Sequence, residues 1–254
     1  QVEFTKGLTF KSTFSPDYVS LYEIIFWNKE HGNGPAYGGR SERHQTHDLM
    51  FTSTNTLNYD TTLADNHHLS AMLGYVVWKS KREYALAQGT GFAFDFMTEL
   101  DAAASALSPS SYTTQESLIS YIARAEYDYA GKYFVSGSFR RDGSSVFGSD
   151  NKWGNFWSAG ASWRLDQENF IKNVHWINTL KVRASYGTSG NNRGLERYQS
   201  LGLWSASADY NYANASGFAH TQLSNPGLGW EKQAMLNLGV DFAFLSNRLY
   251  GSLE

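Results

Sequence analysis

Cysteine is missing from all 254 residues, which excludes a disulfide framework and any thiolate metal site. No window comes near the roughly 18 to 20 consecutive apolar residues of a spanning helix, so residence in a membrane would have to be through strands. Basic runs are absent too. Lys and Arg number 21 against 24 Asp and Glu, a net charge of -3 with no cluster of one sign, which gives no support for nucleic acid. Gln1, Val2, Glu3 and Phe4 do not read as a signal peptide, and a mature start and an internal start are both open. With only four prolines and a length suited to one large domain or two small ones, little in the composition interrupts regular structure.

What the chain has instead is 16% aromatic residues set into alternating runs. In residues 120–128, Tyr121, Ala123, Ala125 and Tyr127 share one face of a strand, and Arg124, Glu126 and Asp128 share the other. A short joint at residues 130–132 leads to Tyr133, Val135, Gly137 and Phe139, alternating with Phe134, Ser136, Ser138 and Arg140, so the two runs form a hairpin. Trp157, Ala159, Ala161, Trp163 and Leu165 follow against Ser158, Gly160, Ser162 and Arg164. Leu180, Val182, Ala184 and Tyr186 then alternate with Lys181, Arg183 and Ser185.

The apolar rows identify the solvent they meet. A water-soluble sandwich fills its core with large interlocking side chains. Here alanine and glycine lie between aromatic ends, which suits a wall facing lipid tails, with aromatics at the two interfaces of strands of roughly 10 residues. The mean hydropathy of -0.45 fits such a wall, because alternate residues face water.

The same reading extends along the chain. Strands are expected at residues 7–15, 49–59, 69–77, 236–244 and from residue 248 onward, besides the four above. Residues 102–107 are expected to form a short helix and residues 188–228 a long loop. Joints alternate between short and long, as in outer-membrane barrels with short periplasmic turns and longer extracellular loops. Residues 60–68, 130–132, 166–178 and 245–247 would then be periplasmic. Residues 166–178 fit least well, because a tight turn is expected there. About nine strands would leave unpaired backbone in lipid and do not make the usual even number, so the expectation is a segment of something longer.

Residues 132–148, from Lys132-Tyr133-Phe134-Val135-Ser136-Gly137-Ser138 through Arg140-Arg141-Asp142-Gly143-Ser144-Ser145 to Gly148, resemble a signature of the SusC/RagA-type TonB-dependent transporters of Bacteroidetes. The likeness continues in Trp153-Gly154-Asn155-Phe156, Ser162-Trp163-Arg164-Leu165, Glu168-Asn169-Phe170, residues 180–191, and Asn225-Pro226-Gly227-Leu228-Gly229-Trp230-Glu231. It implies an all-β fold: an antiparallel transmembrane β-barrel segment of a larger barrel of about 22 strands filled by a plug. Residues 1–254 would all belong to the barrel domain, with the plug and closing strands outside them. The resemblance further implies TonB-dependent import of oligosaccharides or peptides at the outer membrane. The implied partners are a SusD-type surface lipoprotein and the TonB complex, the latter through a segment outside these residues. A passive porin or adhesin barrel and a soluble β-rich glycan-binding domain are the alternatives.

No nucleophile, base and orienting group stand in a catalytic pattern, so no enzyme and no cofactor are expected. The pairs His44/His47 and His67/His68 lack a third ligand at metal spacing. Arg140, Arg141 and Asp142 read as a structural strand end before the Gly143 turn. Arg124, Glu126, Asp128, Lys181 and Arg183 read as a hydrated or plug-packed inner row. The candidates for substrate contact are the loop aromatics Trp204, Tyr210, Tyr212 and Phe218, since exposed rings stack on sugars or cover apolar side chains of peptides.

Overall fold

The computed structural model describes residues 1–107, 109–192, 194–206, 208–213 and 215–254. Its strands are β1 (Val2–Thr5), β2 (Leu8–Trp27), β3 (Arg40–Leu63), β4 (His67–Phe92), β5 (Ala103–Ala106), β6 (Ser110–Tyr129), β7 (Tyr133–Ser144), β8 (Trp153–Arg164), β9 (Ile177–Asn191), β10 (Leu203–Ala206), β11 (Phe218–Gln222), β12 (Glu231–Phe244) and β13 (Leu249–Leu253). The fold is all-β and antiparallel. An 11-stranded sheet runs in the order β1-β2-β3-β4-β6-β7-β8-β9-β12-β13, with β5 added to β4, while β10 and β11 pair separately. Among the described residues the helical elements are short 3-10 turns.

The chain divides into two compact units: residues 1–13, 53–77 and 117–254, and residues 14–52 and 78–116. In the first unit the registers from β6 to β12 place the alternating runs as their pattern predicts. Tyr129, Tyr133, Trp163, Val182 and Val240 form one cross-strand row, and Tyr127, Val135, Ala161, Ala184 and Leu238 the next. Ala125, Gly137, Ala159, Tyr186 and Leu236 form a third. The opposite face carries Glu126, Ser136, Gly160, Ser185 and Asn237, beside Asp128, Phe134, Ser162, Arg183 and Gly239.

The short joints are tight because their residues, most of them not glycine, adopt left-handed backbone. Ala64 and Asp65 have φ of 49° and 61°, Ala130 and Gly131 54° and 66°, and Leu245, Ser246 and Asn247 56°, 57° and 63°, the sign required by hairpin turns that match strand twist. Ala130 N–H donates to Asn66 O at 2.6 Å and Leu245 N–H to Trp176 O at 2.8 Å, so these turns line one end of the sheet. Residues 165–177, too long for a tight turn, are knitted into successive turns. Glu168 N–H donates to Leu165 O at 3.0 Å, Val174 N–H to Ile171 O at 2.8 Å and Ile177 N–H to Val174 O at 3.0 Å.

Three expectations change. First, β2, β3, β4 and β6 run 20, 24, 26 and 20 residues rather than about 10. The added length of β3, residues 40–48, is polar on both faces and that of β2, residues 16–27, carries apolar side chains on both, so neither shows a simple alternation, yet the backbone ladder continues through them. Second, residues 103–106 form a strand, not a helix, pairing Gly89 with Ala106 and Phe92 with Ala103. Six residues are too few to pay for helix nucleation, whereas the edge of β4 offers partners at once. A Cβ at Gly89 would lie 2.6 Å from Ala103 Cβ, so the glycine admits this close pairing. Third, residues 188–228 are not one loop: β9 continues to Asn191 and a hairpin, β10 with β11, forms within them.

The chain has almost no apolar core. Among the described residues the buried hydrophobic side chains are Phe92, Val146, Phe147, Phe156 and Ala243. Its accessible surface is 16884 Å², against roughly 11,000 Å² for a folded water-soluble monomer of 28.5 kDa. Large apolar side chains contribute to it: Tyr121, Val135, Phe139, Trp157, Leu236 and Leu238 are all exposed.

Candidate functional site

Two aromatic girdles bound the apolar face of the first unit. In one, Tyr129 stacks on Tyr133 at 6.2 Å and Tyr133 on Trp163 at 6.0 Å. In the other, Tyr121 lies 5.3 Å from Tyr75 and stacks on Trp153 at 6.1 Å, with the Arg141 guanidinium 5.1 Å over the Trp153 ring. Trp153 and Trp163 are the first and eleventh residues of β8. Their separation is about 34 Å along the strand, or about 26 Å across the sheet at a tilt of about 40°.

The first girdle is tied to the turn after β8 by carboxylates. Glu168 accepts from Tyr133 Oη at 2.5 Å and Trp163 Nε1 at 3.2 Å, with Lys132 Nζ 3.7 Å away. The hydrogen bonds from Tyr133 and Trp163, helped by Lys132, hold its carboxyl below the usual range. Asp166 is buried, which pushes its carboxyl up. Donors from Arg164 at 2.6 Å, Gln167 at 2.9 Å and the Leu180 N–H at 3.2 Å outweigh that and lower it.

The polar face carries an open hollow of about 460 Å³ lined in part by Glu126, Asp128, Lys181, Arg183, Ser185 and Asn237. Two of its charged groups, Glu126 and Arg183, are ion-paired within the chain. Arg124 pairs with Glu126, and Arg183 with Asp241 at 3.4 Å and with Glu254. Lys181 Nζ stands 5.4 Å over the Phe134 ring. A wall of balanced charge and hydroxyls suits water or a polar solute and offers no activated nucleophile. Arg140 donates to both oxygens of Asp142 at 2.7 Å and to Ser120 Oγ at 3.1 Å, closing a network at the strand end.

Beyond that strand end the loop between β7 and β8 packs on residues 225–230. Phe147 and Phe156 lie 4.7 and 5.4 Å from Trp230, whose Nε1 donates to Lys152 O at 3.0 Å. Gly148 N–H donates to Leu228 O at 2.9 Å, and a Cβ at Gly148 would fall 1.9 Å from Pro226 O, so only glycine allows this approach.

The hairpin brings two of the four loop aromatics together. Trp204 meets Phe218 edge to face at 5.5 Å and His220 at 5.1 Å. Tyr210 and Tyr212 lie in the connection between β10 and β11, and among the described residues neither makes a ring contact with that pair. Tyr212 is 85% exposed, Phe218 71% and Trp204 64%.

Sequence reasoning missed a second cluster, wholly inside the second unit. Arg82 grips Asp48 with two bonds of 2.7 Å. His44 joins Tyr84 Oη and Glu42 Oε2, each at 2.8 Å, and Tyr84 stacks on Tyr112 at 4.9 Å. Arg40 pairs with Glu42, donates to Gln88 at 2.8 Å and sits 5.2 and 5.4 Å from the Trp27 and Tyr37 rings. The signal was the spacing Arg40, Glu42, His44, Asp48 on alternate residues, which puts all four on one face of β3. The histidines are engaged by tyrosines: His47 with Tyr18 at 2.9 Å and His67 with Tyr127 at 2.6 Å. Among the described residues no group of three or more His, Cys, Asp or Glu could hold a metal ion.

Residues 2–254 match the family described as TonB dependent receptor-like, beta-barrel. The chain belongs to this family. Among receptors of this kind, TonB-dependent receptor P39 of Formosa agariphila is 34% identical over 257 residues, covering 100% of this chain and 24% of that protein. TonB-dependent receptor SusC of Bacteroides thetaiotaomicron is 33% identical over 147 residues, 56% of this chain and 15% of that protein. The structure of the RagAB peptide transporter superposes with a TM-score of 0.90 at 26% identity, covering 99% of this chain and 28% of that one. The chain thus spans about a quarter of the length of the curated receptors it matches over its full length. The SusC/RagA likeness read from residues 132–148 therefore extends over the whole chain.

Proposed function

We propose that these residues form wall and extracellular loops of an outer-membrane barrel that imports an oligosaccharide or peptide with energy supplied through TonB, beneath a SusD-type surface lipoprotein. The observation that carries this reading is the exposed apolar face between girdles about 26 Å apart, close to the roughly 25 Å apolar band of outer-membrane barrels. Family membership supports the TonB-dependent part, and the likeness to the RagAB peptide transporter supports a peptide, while an oligosaccharide stays the alternative that the resemblance of residues 132–148 implies. On this reading the turns at residues 64–66, 130–132, 165–176 and 245–248 face the periplasm. The aromatic hairpin, with Trp204, Tyr210, Tyr212 and Phe218, reaches outward to substrate.

The test is growth of the native host on the receptor's substrate with and without TonB. Loss of uptake without TonB is expected. Uptake that continues unchanged would mean a passive barrel. Recovery of the intact receptor from the water-soluble fraction without detergent would remove the membrane reading altogether.

A further inference from the structure

One feature of the apolar face is more specific than a generic lipid contact. Beside the girdle of Tyr133 and Trp163 the surface sinks into a shallow, open groove of about 900 Å³. Its floor is Val135, Ala161, Val182 and Ala184, short side chains in two adjacent cross-strand rows, and Trp163 and Leu238 rise at its sides. A stripe of small residues alone would mean little. Here two residues of its lining, Tyr133 and Trp163, lead to a polar station of both signs just outside it: both donate to Glu168, which lies 3.7 Å from Lys132.

We infer that this groove binds one phosphatidylethanolamine of the periplasmic leaflet, its acyl chains on the alanine floor, its phosphate at Lys132 and its ammonium at Glu168. The charge order fits a zwitterionic headgroup whose anion and cation are a few bonds apart. A phosphatidylglycerol headgroup has the phosphate but no cation, so that Lys132 alone would face two anions, the phosphate and the Glu168 carboxylate. Tyr133 and Trp163 present rings to the groove and donors to the turn, the amphipathic placement typical of membrane interfaces. The inference rests on the membrane reading proposed above.

The test uses the full-length receptor purified in mild detergent, titrated with phosphatidylethanolamine or phosphatidylglycerol and weighed intact by native mass spectrometry. Ala184→Trp fills the floor with a side chain that lipid-facing positions tolerate. Glu168→Gln keeps an oxygen for Tyr133 and Trp163 but removes the charge. The wild type is expected to retain one more phosphatidylethanolamine than Ala184→Trp. Glu168→Gln is expected to weaken phosphatidylethanolamine by about tenfold, as for one charge-assisted contact, without weakening phosphatidylglycerol. Equal retention by the wild type and Ala184→Trp, or an unchanged lipid preference in Glu168→Gln, overturns the site. A receptor that stays monodisperse without detergent overturns the membrane reading instead, so the two failures are separable.

Discussion

Ala159 offers a direct test of which face meets lipid. It lies on β8 between Trp153 and Trp163, one residue from their midpoint, in the row with Gly137 and Tyr186. One residue along a strand tilted by about 40° is roughly 2.6 Å of depth, so Ala159 sits near the midplane of the apolar band. An arginine there should cost about 2–4 kcal/mol, roughly a thirtyfold to several-hundredfold fall in the folding equilibrium. The matched control is Ser136→Arg, on the opposite face at nearly the same height, with Glu126 and Gly160 as its cross-strand neighbours. There a guanidinium finds a carboxylate, open space and water, and the expected change stays within about 1 kcal/mol. Equilibrium urea unfolding of the full receptor in lipid vesicles, followed by tryptophan fluorescence, reads both. Equal costs for the two variants, or a larger cost for Ser136→Arg, would refute the assignment of faces.

Other consequences follow from the same contacts. Phe147→Ala empties a site that is 1% exposed and should cost about 3–5 kcal/mol locally, opening the loop at residues 145–152 to proteolysis while the girdle strands stay protected. Acid should loosen the turn after β8. Because the folded carboxyl of Asp166 is lowered, its stabilisation is complete above the ordinary carboxylate range near pH 4 and is lost as pH falls through the lower folded value. Hydrogen exchange at the Leu180 N–H, measured from pH 6 to pH 2, should accelerate over that fall, and in Asp166→Asn it should be fast throughout once intrinsic exchange is corrected for. Trp204→Ala and Phe218→Ala should each reduce substrate-dependent growth, with about a tenfold loss of affinity for an aromatic contact, and leave barrel assembly in the membrane unchanged. Wild-type growth of the double variant would move the substrate contact away from the hairpin.

The parts of this molecule legible in its sequence were those whose two faces meet different solvents. Tyr121, Ala123 and Ala125 against Arg124 and Glu126 announce a strand and its orientation, and the registers put each of them where that alternation requires. The same logic failed where both faces are polar. Ser41, Arg43 and Gln45 alternate with Glu42, His44 and Thr46, and no local pattern separates such a strand from a loop. The strand exists because β4 supplies a ladder for it, and its side chains pair across that ladder: Arg40 with Gln88, His44 with Tyr84, Asp48 with Arg82. Those partners stand 34 to 48 positions apart in the chain, at separations that only the fold selects.

The candidate site divides along the same line. Exposed aromatics in the segment 188–228 were visible as a composition, but the meeting of Trp204 with Phe218 depended on a hairpin hidden by weak alternation in Leu203–Ala206. The Phe147–Trp230 contact illustrates the opposite case. Its residues stand in motifs conspicuous enough to suggest kinship, yet their physical role appears only when Gly148 is seen against Pro226, where a Cβ has no room. Resemblance located these residues and steric constraint accounts for them. The groove beside Trp163 needed both kinds of information: the alanines were legible as small residues on an apolar face, while the Lys132–Glu168 station that distinguishes one lipid from another lies across two turns whose adjacency no single strand encodes.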